Sequence, residues 1–339
     1  MPGVTPALAG LSTAPSNVTN ADGFNVTDAG SIAVPRTEII FGLSFLTLLI
    51  VFCGLLGNGI VIWFLGFRIP KNKFTVYILN LAVADFLFLI SVWVLLVYLL
   101  FKHFGHPISA ADKRNITTAM GLLSDFGFNA GIYLLMAVSF ERCLCALYPI
   151  WYRCRRPTHQ SGMVCALLWA LSCLVTGLEQ FICNGGEYKE PGSEPCTAVY
   201  LFTSTLFLAV IVLMILSSLT LIITIQQVSE QYYSSKLYIA IVASVVVFLV
   251  SVVPARLLGL LLYFKVLSSY FLMFYFFLVI NFCSSVNCAA NPFIYLLVGS
   301  LKKWRFGGSF LAVLQRVFKD ESGTSGQERE TTLNQTYLR

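Results

Sequence analysis

Seven apolar stretches alternate with short polar segments along the chain, at about 39–67, 74–101, 116–147, 161–182, 199–225, 237–264 and 270–298. Each is long enough for the roughly 20 helical residues that cross a hydrocarbon core. The pattern predicts an all-α membrane protein, a seven-transmembrane helix bundle. The connections leave no room for a soluble domain, and no repeat relates the first spans to the last. After the seventh span, Ser300 to Lys319 sets Leu301, Phe306, Phe310, Leu314, Val317 and Phe318 roughly opposite its basic residues, interrupted only by Gly307-Gly308. That segment reads as a short amphipathic helix lying on an anionic inner leaflet. The chain thus divides into an N-terminal tail (1–37), the bundle (38–299), the amphipathic helix (300–319) and a polar C-terminal tail (320–339), the last offering Ser322, Thr324, Ser325, Thr331 and Thr332 for phosphorylation.

Composition agrees. Of 339 residues, 57% are hydrophobic and 11% charged, where soluble domains hold about 45–50% and about 25%. The net charge of +6 is spread over loops and tail and no basic run with interleaved aromatics occurs, so it reads as topology and excludes nucleic acid as a partner. Residues 1–37 contain no apolar core of a signal peptide, so the first span doubles as export signal with the N-terminus outside. The sequons Asn17-Val18-Thr19 and Asn25-Val26-Thr27 fall in that tail, which makes Asn17 and Asn25 candidates for glycosylation. Loop lysines and arginines favour the inner side by only seven to five, so the basic segment after the seventh span carries as much of the orientation as the loops. Cys183 and Cys196 lie in an exported loop, whereas the other eight cysteines fall in spans or on the inner side.

Polar groups inside the apolar runs carry the candidate chemistry, because a charge near mid-bilayer costs about 2.5–3.5 kcal/mol on insertion scales and is there for a reason. Glu141-Arg142 closes the third span as an adjacent acid and base. Asn58 lies in the first span and Asp85 in the second, where Asp85 faces the bundle interior and can share hydrogen bonds with Asn58 or Asn291. Pro254 and Pro292 interrupt the sixth and seventh spans, each removing a backbone donor and offering a bend. An amide beside Pro292, such as Asn291, can bond the carbonyl the proline leaves free, and Tyr295 follows one turn on. In the outer halves of the spans lie three ionisable residues, Asp125, Glu179 and Arg256, whose charges either meet a ligand or pair with one another.

Taken span by span, Gly57-Asn58, Leu81-Ala82-Val83-Ala84-Asp85, Glu141-Arg142-Cys143, Trp169, Phe248 to Pro254 and Asn291-Pro292-Phe293-Ile294-Tyr295 resemble the signatures of rhodopsin-like G protein-coupled receptors, over about residues 38–319. More narrowly, Leu147 to Pro157, Val164 to Ser172 and Asn291 to Ser300 resemble the Mas and Mas-related receptors. The third span lacks a cysteine at its outer end and the sixth has Val252 in place of the usual tryptophan, departures from the general pattern that agree with the narrower one.

The resemblance implies a disulfide between Cys183 and Cys196, joining the outer ends of spans four and five. It implies that Arg142 is held at rest through Glu141 and, once released, meets the G protein with Tyr295, while Pro254, Asn291 and Pro292 set the bends. It implies that Glu179, with Asp125 and Arg256, contacts a peptide or small-molecule agonist. Tyr200 stands where some cation-binding relatives carry a second acid, which argues against a strongly polycationic ligand. The partners implied are a heterotrimeric G protein of the Gq/11 or Gi type, arrestin and the bilayer, with the plasma membrane as location. No cofactor or metal is expected, and no hydrolase or metalloprotease motif points to an enzyme. The alternatives are a constitutively active or orphan modulatory receptor and, further off, a transporter, which calls for repeat halves that the sequence lacks.

Overall fold

The structure is a computed structural model that describes residues 34–68, 73–104, 109–157, 159–184, 194–227, 235–263 and 270–300. Asn17, Asn25 and the segments 301–319 and 320–339 lie outside the described residues. The chain divides into two units between Phe41 and Gly42, and the packing of the spans belongs to the second.

Eight α-helices and no strand occur among the described residues. They are α1 (Val34–Trp63), α2 (Thr75–His103), α3 (Ala110–Leu147), α4 (Pro149–Cys154), α5 (Gln160–Leu178), α6 (Glu194–Gln227), α7 (Ser235–Tyr263) and α8 (Tyr270–Ser300). One turn of π-helix extends α1 over Phe64–Arg68 and another extends α5 over Glu179–Asn184. All but α4 are long and apolar enough to cross a membrane. Helices suit that setting because their backbone hydrogen bonds close within the segment, leaving no polar group facing hydrocarbon.

The third span starts well before its apolar run. It begins at Ala110 rather than near Ile116, because the first turn is held by polar chemistry: Ser109 caps it, its Oγ accepting from the Ala111 N–H at 3.3 Å, and Asp112 places a negative charge at the positive end of the helix dipole. Asp112, Lys113 and Arg114 are all exposed there. At the other end the chain breaks at Tyr148, and Pro149, with no N–H to lose, opens α4. A six-residue helix of mixed composition gives no readable periodicity, and sequence reasoning did not anticipate it.

α3 is the axis of the bundle. Two-thirds of its most apolar window is buried (67%), against 28% for α1, α5 and α6. Large apolar side chains of those outer helices, such as Phe52, Leu167 and Leu208, remain exposed, as a lipid-facing surface requires. Close approach of α2 to α3 depends on Gly127, where a Cβ atom would come within 2.8 Å of the Phe88 backbone nitrogen and 3.0 Å of the Ala84 carbonyl oxygen. With α3 seated in this way, Asp125 and Arg142 lie toward opposite ends of one central helix. The Glu141-Arg142 end is termed inner here, after the orientation expected from the charge distribution.

Candidate functional site

A polar core joins α1, α2 and α8 midway along the bundle. Pro292 has no N–H for the Cys288 carbonyl four residues earlier, and a carbonyl left bare in this setting is costly. The donor that replaces it comes from another span: Asn58 Nδ2 reaches Cys288 O at 3.1 Å and Gly54 O at 3.0 Å. The backbone comes close at the same point, since a Cβ on Gly57 would meet the Pro292 ring at 2.8 Å. Asn291, suggested above for the freed carbonyl, instead turns to α2 and donates to Asp85 Oδ2 at 2.8 Å. Of the two candidate amides for Asp85, Asn291 is the one in contact, and the Cys288 thiol adds a hydrogen bond. Trp169 does more than pack, donating from Nε1 to Asn80 Oδ1 at 2.9 Å and so joining α5 to α2.

At the inner end both Glu141 and Arg142 are buried, at 6% and 2% exposure, so neither is a surface marker. The Arg142 guanidinium lies 3.3 Å from the centroid of the Phe74 ring at the start of α2, the stacked placement that a planar, weakly hydrated cation favours. Tyr295, buried in α8, stands within electrostatic reach of both Arg142 and Asp85, which places it between the inner pair and the polar core. Glu141 forms an ion pair with Arg156, from the turn that follows α4. Arg156 Nη2 also donates to Ser161 Oγ at 2.8 Å, and its guanidinium lies 4.5 Å from the centroid of the Tyr152 ring. Tyr152 and Tyr77 each hydrogen-bond Glu141. Burial, and after it the neighbouring Glu141 charge, pushes the Tyr152 hydroxyl well above the usual phenol range, so it stays protonated and donates.

Arg156, Tyr152, Tyr77 and Phe74 were not singled out by sequence reasoning. Arg156 stood only among three basic loop residues, and nothing in their order separates it from Arg155, which is exposed. The register of α4 and the turn after it makes the difference. On the surface of α4, Ile150, a large apolar side chain at the inner end, is 80% exposed.

At the outer end, Glu179 opens the π-turn after α5, and the Cys183–Cys196 disulfide ties that turn to α6 across a separation of 13 residues. Closing a loop of that size contributes about 3 kcal/mol in the chain-entropy account. Arg256 sits half-buried on α7, its guanidinium 4.4 Å from the centroid of Phe128 and 5.9 Å from that of Phe207. Asp125 lies within the electrostatic reach of both Arg256 and Glu179 while keeping an open face. Among the described residues no ion pair joins Arg256 to either acid, and the Arg256 Nε is buried without a hydrogen-bond partner. The structure thus gathers the three outer charges without neutralising them by contact. Among the described residues no cluster of His, Cys, Asp or Glu suits a metal ion.

Seven spans, a polar core through Asn58, Asp85 and Asn291, and a buried acid–arginine pair at the inner end define a seven-span receptor. The family profile "7 transmembrane receptor (rhodopsin family)" matches residues 57–295. Among curated proteins, Proto-oncogene Mas of Homo sapiens is 44% identical over 270 residues, covering 79% of this chain and 80% of its own. Mas-related G-protein coupled receptor member D of Macaca fascicularis is 38% identical over 89% of this chain and 92% of its own, and member H of Rattus norvegicus 39% identical over 87% and 89%. The chain belongs to the rhodopsin family of seven-transmembrane receptors and, within it, is a G protein-coupled receptor of the Mas-related type. It is a multi-pass plasma-membrane protein of a family that binds ligands and couples to G proteins, not an enzyme.

Proposed function

We propose that an agonist, a peptide or a small amphipathic molecule, binds among Asp125, Glu179 and Arg256 in the outer half of the bundle. Its binding promotes nucleotide exchange on a heterotrimeric G protein of the Gq/11 or Gi type at the inner end. The observation that carries this reading is the gathering of one guanidinium and two carboxylates with no ion pair between them at contact distance. Charges held inside a membrane bundle call for partners, and a ligand with polar ends can supply them there. Binding drives the change only through its differential affinity for two states of the bundle. The state favoured by agonist bends α7 at Pro254, with Asn291 and Pro292 setting the bend of α8, and opens an inner groove where Arg142 and Tyr295 meet a helix of the G protein. Ile150 adds an apolar contact beside that groove. Arrestin engages the phosphorylated tail, and Asn17 and Asn25 carry glycans on an outward-facing N-terminus, which a glycosidase-induced shift in apparent mass reads directly.

The test is a screen of cationic, anionic and neutral peptides on wild type, Glu179→Gln and Arg256→Gln, with exchange as readout. Glu179→Gln is expected to weaken responses to cationic peptides about tenfold or more and Arg256→Gln those to anionic ones, since a charged hydrogen-bond partner contributes about 1.5–3 kcal/mol. Responses untouched by both substitutions move the ligand site elsewhere.

A further inference from the structure

Arg156 joins three helices at the inner end. Its side chain is only 1% exposed and forms the ion pair with Glu141 of α3. It donates to Ser161 Oγ at 2.8 Å and to Gln160 Oε1 at 3.4 Å, both on α5, and stacks 4.5 Å from the Tyr152 ring centroid of α4. Lys73, just before α2, donates to the carbonyls of Tyr152 at 3.4 Å and Arg156 at 3.5 Å, which fixes the same turn from the other side. Four groups converge on Glu141: Tyr77 from α2, Tyr152 from α4, Arg142 beside it on α3, and Arg156.

Those four groups decide what happens when Arg142 moves. A buried carboxylate whose cation leaves becomes an uncompensated charge, and breaking a buried pair by removing one partner is among the most destabilising single changes. If Arg142 were the sole counter-ion of Glu141, its release toward a G protein would carry that penalty. Arg156 remains in contact with Glu141 whatever Arg142 does, because its anchors, Ser161, Gln160 and Tyr152, lie on α4 and α5 rather than on α7 or α8.

We propose that Arg156 is a positioning residue for G protein coupling: it serves as the standing counter-ion of Glu141 and thereby leaves Arg142 available to the G protein. The assignment rests on the receptor function proposed for this bundle. Its consequence has a definite sign. Without Arg156, Glu141 turns to Arg142 as its remaining cation, Arg142 becomes harder to release, and coupling weakens. Neutralising Glu141 as well removes the competing carboxylate, and coupling returns. A purely structural role for Arg156 instead predicts that heterotrimer binding follows the amount of folded receptor across the series, with binding per folded receptor unchanged.

The experiment measures the affinity of purified receptor in nanodiscs for nucleotide-free Gq and Gi heterotrimers, and agonist-independent nucleotide exchange alongside it. The variants are wild type, Arg156→Gln, Arg156→Lys and Arg156→Gln with Glu141→Gln. Arg156→Gln is expected to weaken heterotrimer binding on the order of fivefold or more, the lower end of typical coupling factors. Arg156→Lys keeps the charge and falls between the two, and the double variant returns to within about twofold of wild type, because residues in contact couple rather than add. A double variant as weak as Arg156→Gln, or weaker, overturns the assignment, as does an Arg156→Gln receptor that binds like wild type. A wild type that binds neither heterotrimer removes the receptor reading and this assignment with it, so the two failures are distinguishable. Binding is expressed per folded, monodisperse receptor, with the thermal unfolding midpoint of each variant measured alongside, which separates loss of coupling in Arg156→Gln from misfolding.

Discussion

Asn58 shows how one side chain repairs what another removes. The Pro292 ring deletes the helix donor for the Cys288 carbonyl, and Asn58 Nδ2 supplies it from α1 at 3.1 Å. Asn58→Ala strips that carbonyl and the Gly54 carbonyl of a donor together. Side-chain hydrogen bonds between membrane helices are worth about 0.6 kcal/mol on average and about 1.7 at most, so a loss of about 1–2 kcal/mol is expected from thermal unfolding of the detergent-solubilised receptor. In a Pro292→Ala background the Cys288 carbonyl regains an N–H partner, and Asn58→Ala is expected to cost measurably less. Equal costs in both backgrounds would mean that the amide does not replace the missing donor. The polar residues of this core stood out in the sequence because each interrupts an apolar run. Their partners did not, because Asn58 with Cys288 and Asp85 with Asn291 are more than 200 residues apart.

Among the elements, the spans were legible because a run of apolar residues long enough for lipid has few other readings. Features shorter than a span were not. The first turn of α3 hides behind Asp112, Lys113 and Arg114, and α4 is six residues long, so capping and proline geometry define them rather than hydrophobicity. Interhelical spacing is equally invisible, since nothing in sequence separates Gly121, with open space around it, from Gly127, pressed against the α2 backbone. The two glycines provide an internal control on one helix. Gly127→Ala forces α2 away from α3 and is expected to cost about 1–3 kcal/mol, the usual range for overpacking, read as a lower unfolding midpoint. Gly121→Ala meets nothing within 4 Å and is expected to cost nothing. A Gly127→Ala receptor as stable as Gly121→Ala would contradict the close α2–α3 approach.

For the whole molecule, function depends on coupling two ends of one bundle with α3 as the shared element. Sequence reasoning placed the charged residues of both ends and read the family from motifs on six spans. The resemblance to the family assigned Glu141 to Arg142, its neighbour in sequence. The structure gives Glu141 an ion pair with Arg156, fifteen positions further on, through a turn that folds back beneath α3. At the outer end sequence reasoning could not decide between ligand contact and mutual pairing for Glu179 and Arg256, a choice that depends on distances across helices.

The most direct test of a receptor that couples through Arg142 is agonist-independent nucleotide exchange on purified heterotrimer, comparing wild type with Arg142→Ala at matched amounts in the same vesicles. An interaction made with the G protein in the exchange-competent state contributes to rate as it does to binding, and loss of a buried charged contact costs about 2–5 kcal/mol, a reduction of about thirtyfold or more. The account predicts exchange by wild type and a fall to the receptor-free background in Arg142→Ala. Undiminished exchange by Arg142→Ala, or solute flux through the wild-type protein with no G protein present, would contradict it.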